Sequence, residues 1–262
     1  MGIRNQWQGA SGEWQAYHPE RGEGSLLPLL SRGGNTRHCV QASAQQVYRS
    51  HAYRIQSRMK LLSINVALPR TVVEHGRRVE TGIFKQPVRG PVKVTRLNIE
   101  GDRQADLSVH GGANKAVYAY SWKNVEYWRE FLQRDDLGPG SFGENLTVDE
   151  LPDTDISIGD VLEVGTARFQ VTQPRFPCYK LGIALRRPDM VKTFEEGGRN
   201  GFYLRVLQEG TIQSGDEIKH IANSDPETIT IAEFANIYRA RNATGRKVSS
   251  SELARILGLA PG

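Results

Sequence analysis

The sequence predicts an α+β fold, mainly β: an antiparallel barrel or sandwich carrying a few helices, with a small helical domain behind it. Three observations predict this. Short apolar–polar alternations recur from Met59 onward, each closed by glycine, proline or asparagine. The pattern I-x-x-G-D-x-[LI] occurs twice, at residues 156–162 and 212–218, and reads as a tight turn between short strands. After Asp225-Pro226 the alternation gives way to helix caps.

Residues 1–58 stand apart. They hold seven arginines and three glutamates but no lysine and no aspartate, and no helical or strand period persists in them. Such a composition lacks the apolar surface to offset chain ordering. The expectation is a disordered leader, or residues upstream of a natural start at Met59. Three domain ranges follow: 1–58 as leader, 59–224 as the β domain and 225–262 as the helical domain.

From Met59 the elements follow in order. Leu62, Ile64 and Val66 alternate with Leu61, Ser63 and Asn65, a strand that Pro69 ends. A hairpin-like stretch runs through Gly76 to Phe84. Residues 91–99 read as one strand with a phase shift, which suggests a bulge. Ser121 is an N-cap for a helix reaching Gln133, with Val125, Trp128, Phe131 and Leu132 on one apolar face. Gly143-Glu144-Asn145-Leu146 opens another strand. Ala167, Phe169 and Val171 alternate into the only cysteine of this region, and Phe202, Leu204 and Val206 alternate later. A helix fits residues 188–196, closed by Gly197. Thr230 with Glu233, and Ser249 with Glu252, form capping-box patterns ahead of apolar positions.

The bulk numbers exclude some functions. No apolar run nears the roughly 20 residues of a membrane helix, so no membrane partner is expected. The net charge of +5 sits mostly in the leader, leaving 27 cations against 26 anions in residues 59–262. A basic face for nucleic acid is therefore not indicated, although the two capped helices resemble a helix-turn-helix in outline. Cys39 and Cys178 lie in segments of different character, so no disulfide is expected and the expected compartment is a reducing cytoplasm.

The chemistry centres on Arg175-Phe176-Pro177-Cys178-Tyr179-Lys180-Leu181. A thiol between fixed cations favours its thiolate, the form that attacks and binds metals; a lone thiol also serves as a small buried hydrophobe. His110-Gly111-Gly112 offers backbone N–H groups to an anion, with Lys115 adding a charge. His110 reads equally as a proton donor or a turn histidine. Asn145 is able to bond a heterocycle edge, but a turn-capping role explains it better.

Taken in order, His110-Gly111-Gly112, Gly143-Glu144-Asn145-Leu146, Ile158-Gly159-Asp160, the stretch from Gln173 to Leu181 and Gly198-Arg199-Asn200-Gly201-Phe202-Tyr203 resemble the MOSC domain proteins. The nearest branch is the YiiM-like one, in which a helical domain of three helices follows the barrel. The resemblance covers residues 59–262. It implies a MOSC-type β-barrel with a pocket for the molybdenum cofactor, a pterin dithiolene bearing a phosphate. Cys178 matches the family's cysteine, a ligand of the molybdenum ion or a persulfide carrier. The resemblance further implies that Arg175, Lys180, Lys115 and Arg199, with Gly111 and Gly112, balance and cradle the cofactor, and that His110 and Asn145 line the substrate side. The leader has no family counterpart, and the expectation is that the family's third helix is missing.

Relatives are linked to reducing N-hydroxylated compounds such as 6-hydroxylaminopurine, which implies an oxidoreductase in detoxification. Cys178 and His110 are then the catalytic residues. His110-Gly111-Gly112 is not a G-x-G-x-x-G, so no flavin or nicotinamide fingerprint is read from it and a separate electron-donating reductase is the expected partner. The alternative uses the same thiol as a sulfur or cofactor carrier without turnover.

Overall fold

Seven strands close on themselves in the computed structural model, which describes residues 59–105, 111–245 and 248–256. The expectations for the leader, for His110 and for the chain beyond Ile256 lie outside the described residues. The ring runs β13 (Glu217–Ile221), β9 (Val161–Val164), β10 (Ala167–Pro174), β11 (Phe202–Gln208), β7 (Val117–Ser121), β8 (Leu146–Val148), β1 (Met59–Val66) and back to β13, where Met59 pairs Ile218. β4 (Gln86–Val88) pairs with the last residues of β1, Ile64 to Val66, past the two that meet β13. Two small sheets stand outside the ring: the hairpin β2 (Arg70–Glu74) with β3 (Arg77–Thr81), and β12 (Gly210–Ile212) with β5 (Val92–Thr95) and β6 (Asn98–Ile99).

The mainly β barrel expected from the alternation is present, with two differences of detail. All ring pairings are antiparallel except β7 with β8, which is parallel. Between them lies α1 (Trp122–Leu132), and a helical crossover is what lets two successive strands run the same way. Residues 91–99 are not one bulged strand. A turn at Arg96 and Leu97 reverses the chain, and Val94 pairs Ile99. The phase shift in the sequence is that turn. Irregular register occurs instead in β1, between Leu61 and Ser63, and in β10.

β7 shows how the core is divided. All five of its residues are buried. In a strand successive side chains take opposite faces. Val117 and Ala119 join the barrel interior, while Tyr118 and Tyr120 join a second cluster with Val125 and Trp128 of α1. That second cluster also takes Leu181 and Leu185 of α2 (Tyr179–Leu185) and Met190 and Phe194 of α3 (Met190–Gly197). α2 was not anticipated. It is only seven residues long, contains Gly182 and has no side-chain cap. α3 ends one residue later than expected, with Gly198 in the left-handed cap position.

Beyond the ring, α4 (Ile231–Ala243) carries the capping box of Thr230 and Glu233, and α5 (Ser250–Ile256) follows. Ile231, Phe234, Val248, Leu253 and Ala254 are buried in the same cluster as the barrel interior. Among the described residues no helix is long and apolar enough to cross a membrane.

Candidate functional site

Loops gathered from across the chain wall a cleft of about 670 Å3, its open mouth included. Thr81 ends β3 and Gly82, Ile83 and Lys85 follow it, Asp102 to Gln104 follow β6, Gly143 and Asn145 precede β8, and Arg175, Phe176, Cys178 and Lys180 follow β10. Lys115, Tyr118 and Tyr203 complete the wall. Among the described lining residues Lys85, Arg103, Lys115, Arg175 and Lys180 are cationic and Asp102 alone is anionic.

The Cys178 segment is held from several sides. β10 ends at Pro174, and Cys178 takes the extended backbone that precedes α2. Arg175 N–H donates to the Gly201 carbonyl at 3.1 Å, and Asn200 Nδ2 donates to the Arg175 carbonyl at 3.0 Å. The Asn200 and Gly201 amides in turn donate to Asp153 Oδ2, at 2.8 and 3.1 Å. Gly201 has φ +61°, and a Cβ there would meet the Ala119 carbonyl at 2.6 Å, so the close turn needs glycine. Tyr118 and Tyr120 donate their hydroxyls to the Asn200 and Arg199 carbonyls. Burial pushes both phenols well above their usual range, which keeps them protonated donors. Burial also raises the Asp153 carboxyl to about 6, against the two amides that favour its charge.

Arg175 is 5% exposed. Its Nη2 donates to the Phe142 carbonyl at 3.3 Å, and its guanidinium lies 5.3 Å from the rings of Tyr118 and Phe194. Nη1 is buried with no hydrogen bond of ordinary geometry among the described residues. A buried guanidinium with an idle donor in a cleft wall is suited to an anion. Burial raises the Tyr203 phenol, and the adjacent Arg175 opposes it. Burial lowers the Lys115 ammonium.

The opposite corner is closed on itself. Lys85 pairs with Asp102, whose other oxygen accepts from Asn145 Nδ2 at 2.9 Å and which also accepts from the Ala67 amide. Burial lowers the Lys85 ammonium, with Asp102 opposing. Asn145 Oδ1 accepts from the Tyr118 amide at 3.1 Å, and its Nδ2 also reaches the Asn65 carbonyl at 3.3 Å. Its amide is therefore committed to holding β1, β7 and the Asp102 loop together, long-range bonds rather than the local turn cap read from the sequence. Glu144 beside it is fully buried and accepts from the Gly140 and Phe142 amides and from Thr147.

Of the residues singled out from sequence, the cleft gathers Cys178, Arg175, Lys180, Lys115 and Asn145. It does not gather Arg199. That guanidinium lies 4.0 Å from the Tyr127 ring and donates to Asn124 Oδ1 at 3.1 Å, both on α1. Gly111 and Gly112 precede a single 3-10 turn, Ala113–Lys115, and are outside the described wall. Cys178 is a free, half-buried thiol. Sequence reasoning gave no role to Lys85, Asp102, Arg103, Tyr118 or Tyr203. For the tyrosines a signal existed: Val-Tyr-Ala-Tyr-Ser puts aromatic and small apolar residues on opposite faces of one strand, which calls for burial on both.

Comparison with known proteins bears on this arrangement. Residues 106–219, which include Cys178, match the MOSC domain model. The chain is 40% identical over 200 residues to uncharacterized protein YflK of Bacillus subtilis, spanning 76% of this chain and 90% of that one. It is 34% identical over 159 residues to protein YiiM of Escherichia coli, 60% of this chain and 70% of that one. A Gibberella moniliformis protein named "Reductase" is 33% identical over 172 residues, 64% of this chain and only 30% of the fungal protein. The crystal structure of YiiM from Geobacillus stearothermophilus superposes with a TM-score of 0.59 at 33% identity, covering 76% of this chain and 97% of that one.

Proposed function

The chain belongs to the MOSC domain family, in its YiiM-like branch, and on that premise we propose that its cleft binds the molybdenum cofactor and reduces N-hydroxylated compounds such as 6-hydroxylaminopurine. One observation carries the reading: a thiol and a buried guanidinium with one nitrogen lacking a hydrogen bond of ordinary geometry share a cleft wall with four further cations and one carboxylate among the described residues. That donor set fits a pterin dithiolene bearing a phosphate. Arg175, Lys115 and Lys180 hold its negative charge, and Cys178 offers a soft thiolate to the metal. When bound, the cofactor supplies two-electron chemistry at the N–O bond. The protein's share is to place and desolvate the substrate: Phe176, Tyr118 and Tyr203 give flat apolar surface for a planar ring.

Reducing R–NHOH to R–NH2 and water consumes two electrons and two protons. His110 is the proposed proton donor, and a separate reductase the proposed electron source. The fungal "Reductase" supports the second point, since 70% of it lies outside the matched region. A reducing cytoplasm suits a free Cys178. The test is metal and pterin analysis of the purified protein beside Cys178→Ala, followed by reduction of 6-hydroxylaminopurine with a chemical reductant. Molybdenum and turnover in the parent, both lost in the variant, are expected. A stable sulfur adduct on Cys178 with no molybdenum would establish sulfur carriage instead.

A further inference from the structure

Phe176 lies between Arg175 and Pro177 on the segment that ends at Cys178, and it lines the cleft. Its ring is stacked on Tyr238 of α4, with centroids 3.7 Å apart and planes at 23°. Nothing in the cleft chemistry described above uses Tyr238, which belongs to the helices after the barrel. Yet α4 is fixed to the barrel and to the loops that hold this segment. Ala232 N–H donates to the Asp153 carbonyl at 2.9 Å and Ile231 N–H to the Ile156 carbonyl at 2.8 Å. Arg239 Nη1 donates to the Glu195 carbonyl at the end of α3 at 2.7 Å. Tyr238 is thus presented by a helix anchored at its first turn and again at Arg239, next to Tyr238 itself, and the Phe176 ring has a rigid backing.

We propose that Tyr238 is a positioning residue: through Phe176 it sets the cleft wall on which the Cys178 thiol is presented, so that the helices after the barrel form part of the functional site. The inference deepens the cleft reading and rests on it only for the purpose of the wall. The stack itself is a matter of shape, not of charge. A flat ring at 238 is needed, and its hydroxyl is not.

The experiment reads the thiol directly. In a Cys39→Ser background, which leaves Cys178 as the only cysteine, the rate of alkylation by iodoacetamide is measured for the full-length parent, Tyr238→Phe and Tyr238→Leu. Tyr238→Leu keeps apolar volume but loses the stack, and the half-buried thiol is expected to react roughly three- to tenfold faster, the range set by the worth of one aromatic pair. Tyr238→Phe is expected to keep the parent rate. A parent rate in folded Tyr238→Leu overturns the proposal, as does an equal rise in Tyr238→Phe. If Tyr238→Leu does not fold, Phe176→Leu breaks the same stack from the cleft side and is read against the same two outcomes. Combining Phe176→Leu with Tyr238→Leu is expected to add nothing beyond either alone, while additive rates mean that the rings act independently and overturn it. If the parent carries no molybdenum, the cofactor reading fails while the alkylation rates still decide the role of Tyr238.

Discussion

Lys85 and Arg175 are both buried cations in the wall of one cleft, 9% and 5% exposed. Their surroundings differ in kind. Lys85 sits against Asp102, which is bound in turn by Asn145 and the Ala67 amide, so the corner is neutralised by the protein itself. Arg175 faces aromatic rings and a carbonyl, with Nη1 unspent among the described residues. The first arrangement holds three loops in register. The second leaves a desolvated charge beside the Tyr203 phenol with no carboxylate against it among the described residues. Burial of charge alone therefore does not separate a structural cation from a candidate binding group; a carboxylate partner does.

The sharpest way to break this contrast is to remove each cation. Lys85→Met strands Asp102 as a buried, unpaired charge and is expected to cost about 3–5 kcal/mol of stability, read by urea unfolding at neutral pH. A loss under about 1 kcal/mol would mean that the corner is not a structural pair. Arg175→Met is expected to change stability far less, because little of its hydrogen bonding is satisfied. Its effect falls on the ligand: cofactor affinity drops roughly tenfold to a hundredfold, the worth of a charge-assisted hydrogen bond of about 1.5–3 kcal/mol, read as molybdenum and pterin per chain.

The clamp behind Arg175 gives a pH signature. Asp153 has a folded-state value raised from 3.8 to about 6 by burial. A raised carboxylate makes its contribution below the unfolded value and loses it as pH rises through the folded one. Wild type should therefore lose stability relative to Asp153→Asn between about pH 4 and pH 6, by roughly 3 kcal/mol at 1.36 kcal/mol per unit. Paired urea titrations at pH 4 and pH 7 measure it, and parallel behaviour of the two proteins would count against a charged Asp153 under the turn. The smallest effect is expected at Arg199. Arg199→Ala removes a cation–π contact worth about 0.5–1 kcal/mol and leaves cofactor occupancy unaltered; a fall in occupancy would return Arg199 to the binding set.

Much of the site was legible because it is local. Arg175, Cys178 and Lys180 share one loop and one helix start, and a run of charge and proline around a thiol announces itself. Lys115 followed from its place after a glycine pair. Lys85 and Asp102 were not legible, because each reaches the cleft from a different loop and neither has an unusual neighbour in sequence; Tyr203 stood in a motif, but nothing there said that its strand turns it to the cleft. Arg199 lies off the cleft wall for the converse reason: it is part of a motif whose next residue, Asn200, turns inward to Arg175, while its own side chain goes to α1. α2 escaped notice because seven residues with a central glycine carry too little period to read.

The repeated I-x-x-G-D turn shows where the division falls. Both copies form the same local turn: Asp160 N–H reaches the Ser157 carbonyl and Asp216 N–H the Gln213 carbonyl, with Gly159 and Gly215 at φ +90° and +96°. The sequence alone determined that, since glycine at a positive φ and an aspartate beside it are sufficient to set a turn. It also determined the alternation that makes the strands and the caps that start the helices. Both aspartates also accept the amide three residues back, Ser157 and Gln213; only the tertiary structure decided that Asp160 is buried against His220 and the Asn223 amide, while Asp216 lies nearer the surface. The same holds for the cleft. Local sequence supplies cations and a thiol, but ring closure and strand register decide which cation meets a carboxylate and which does not.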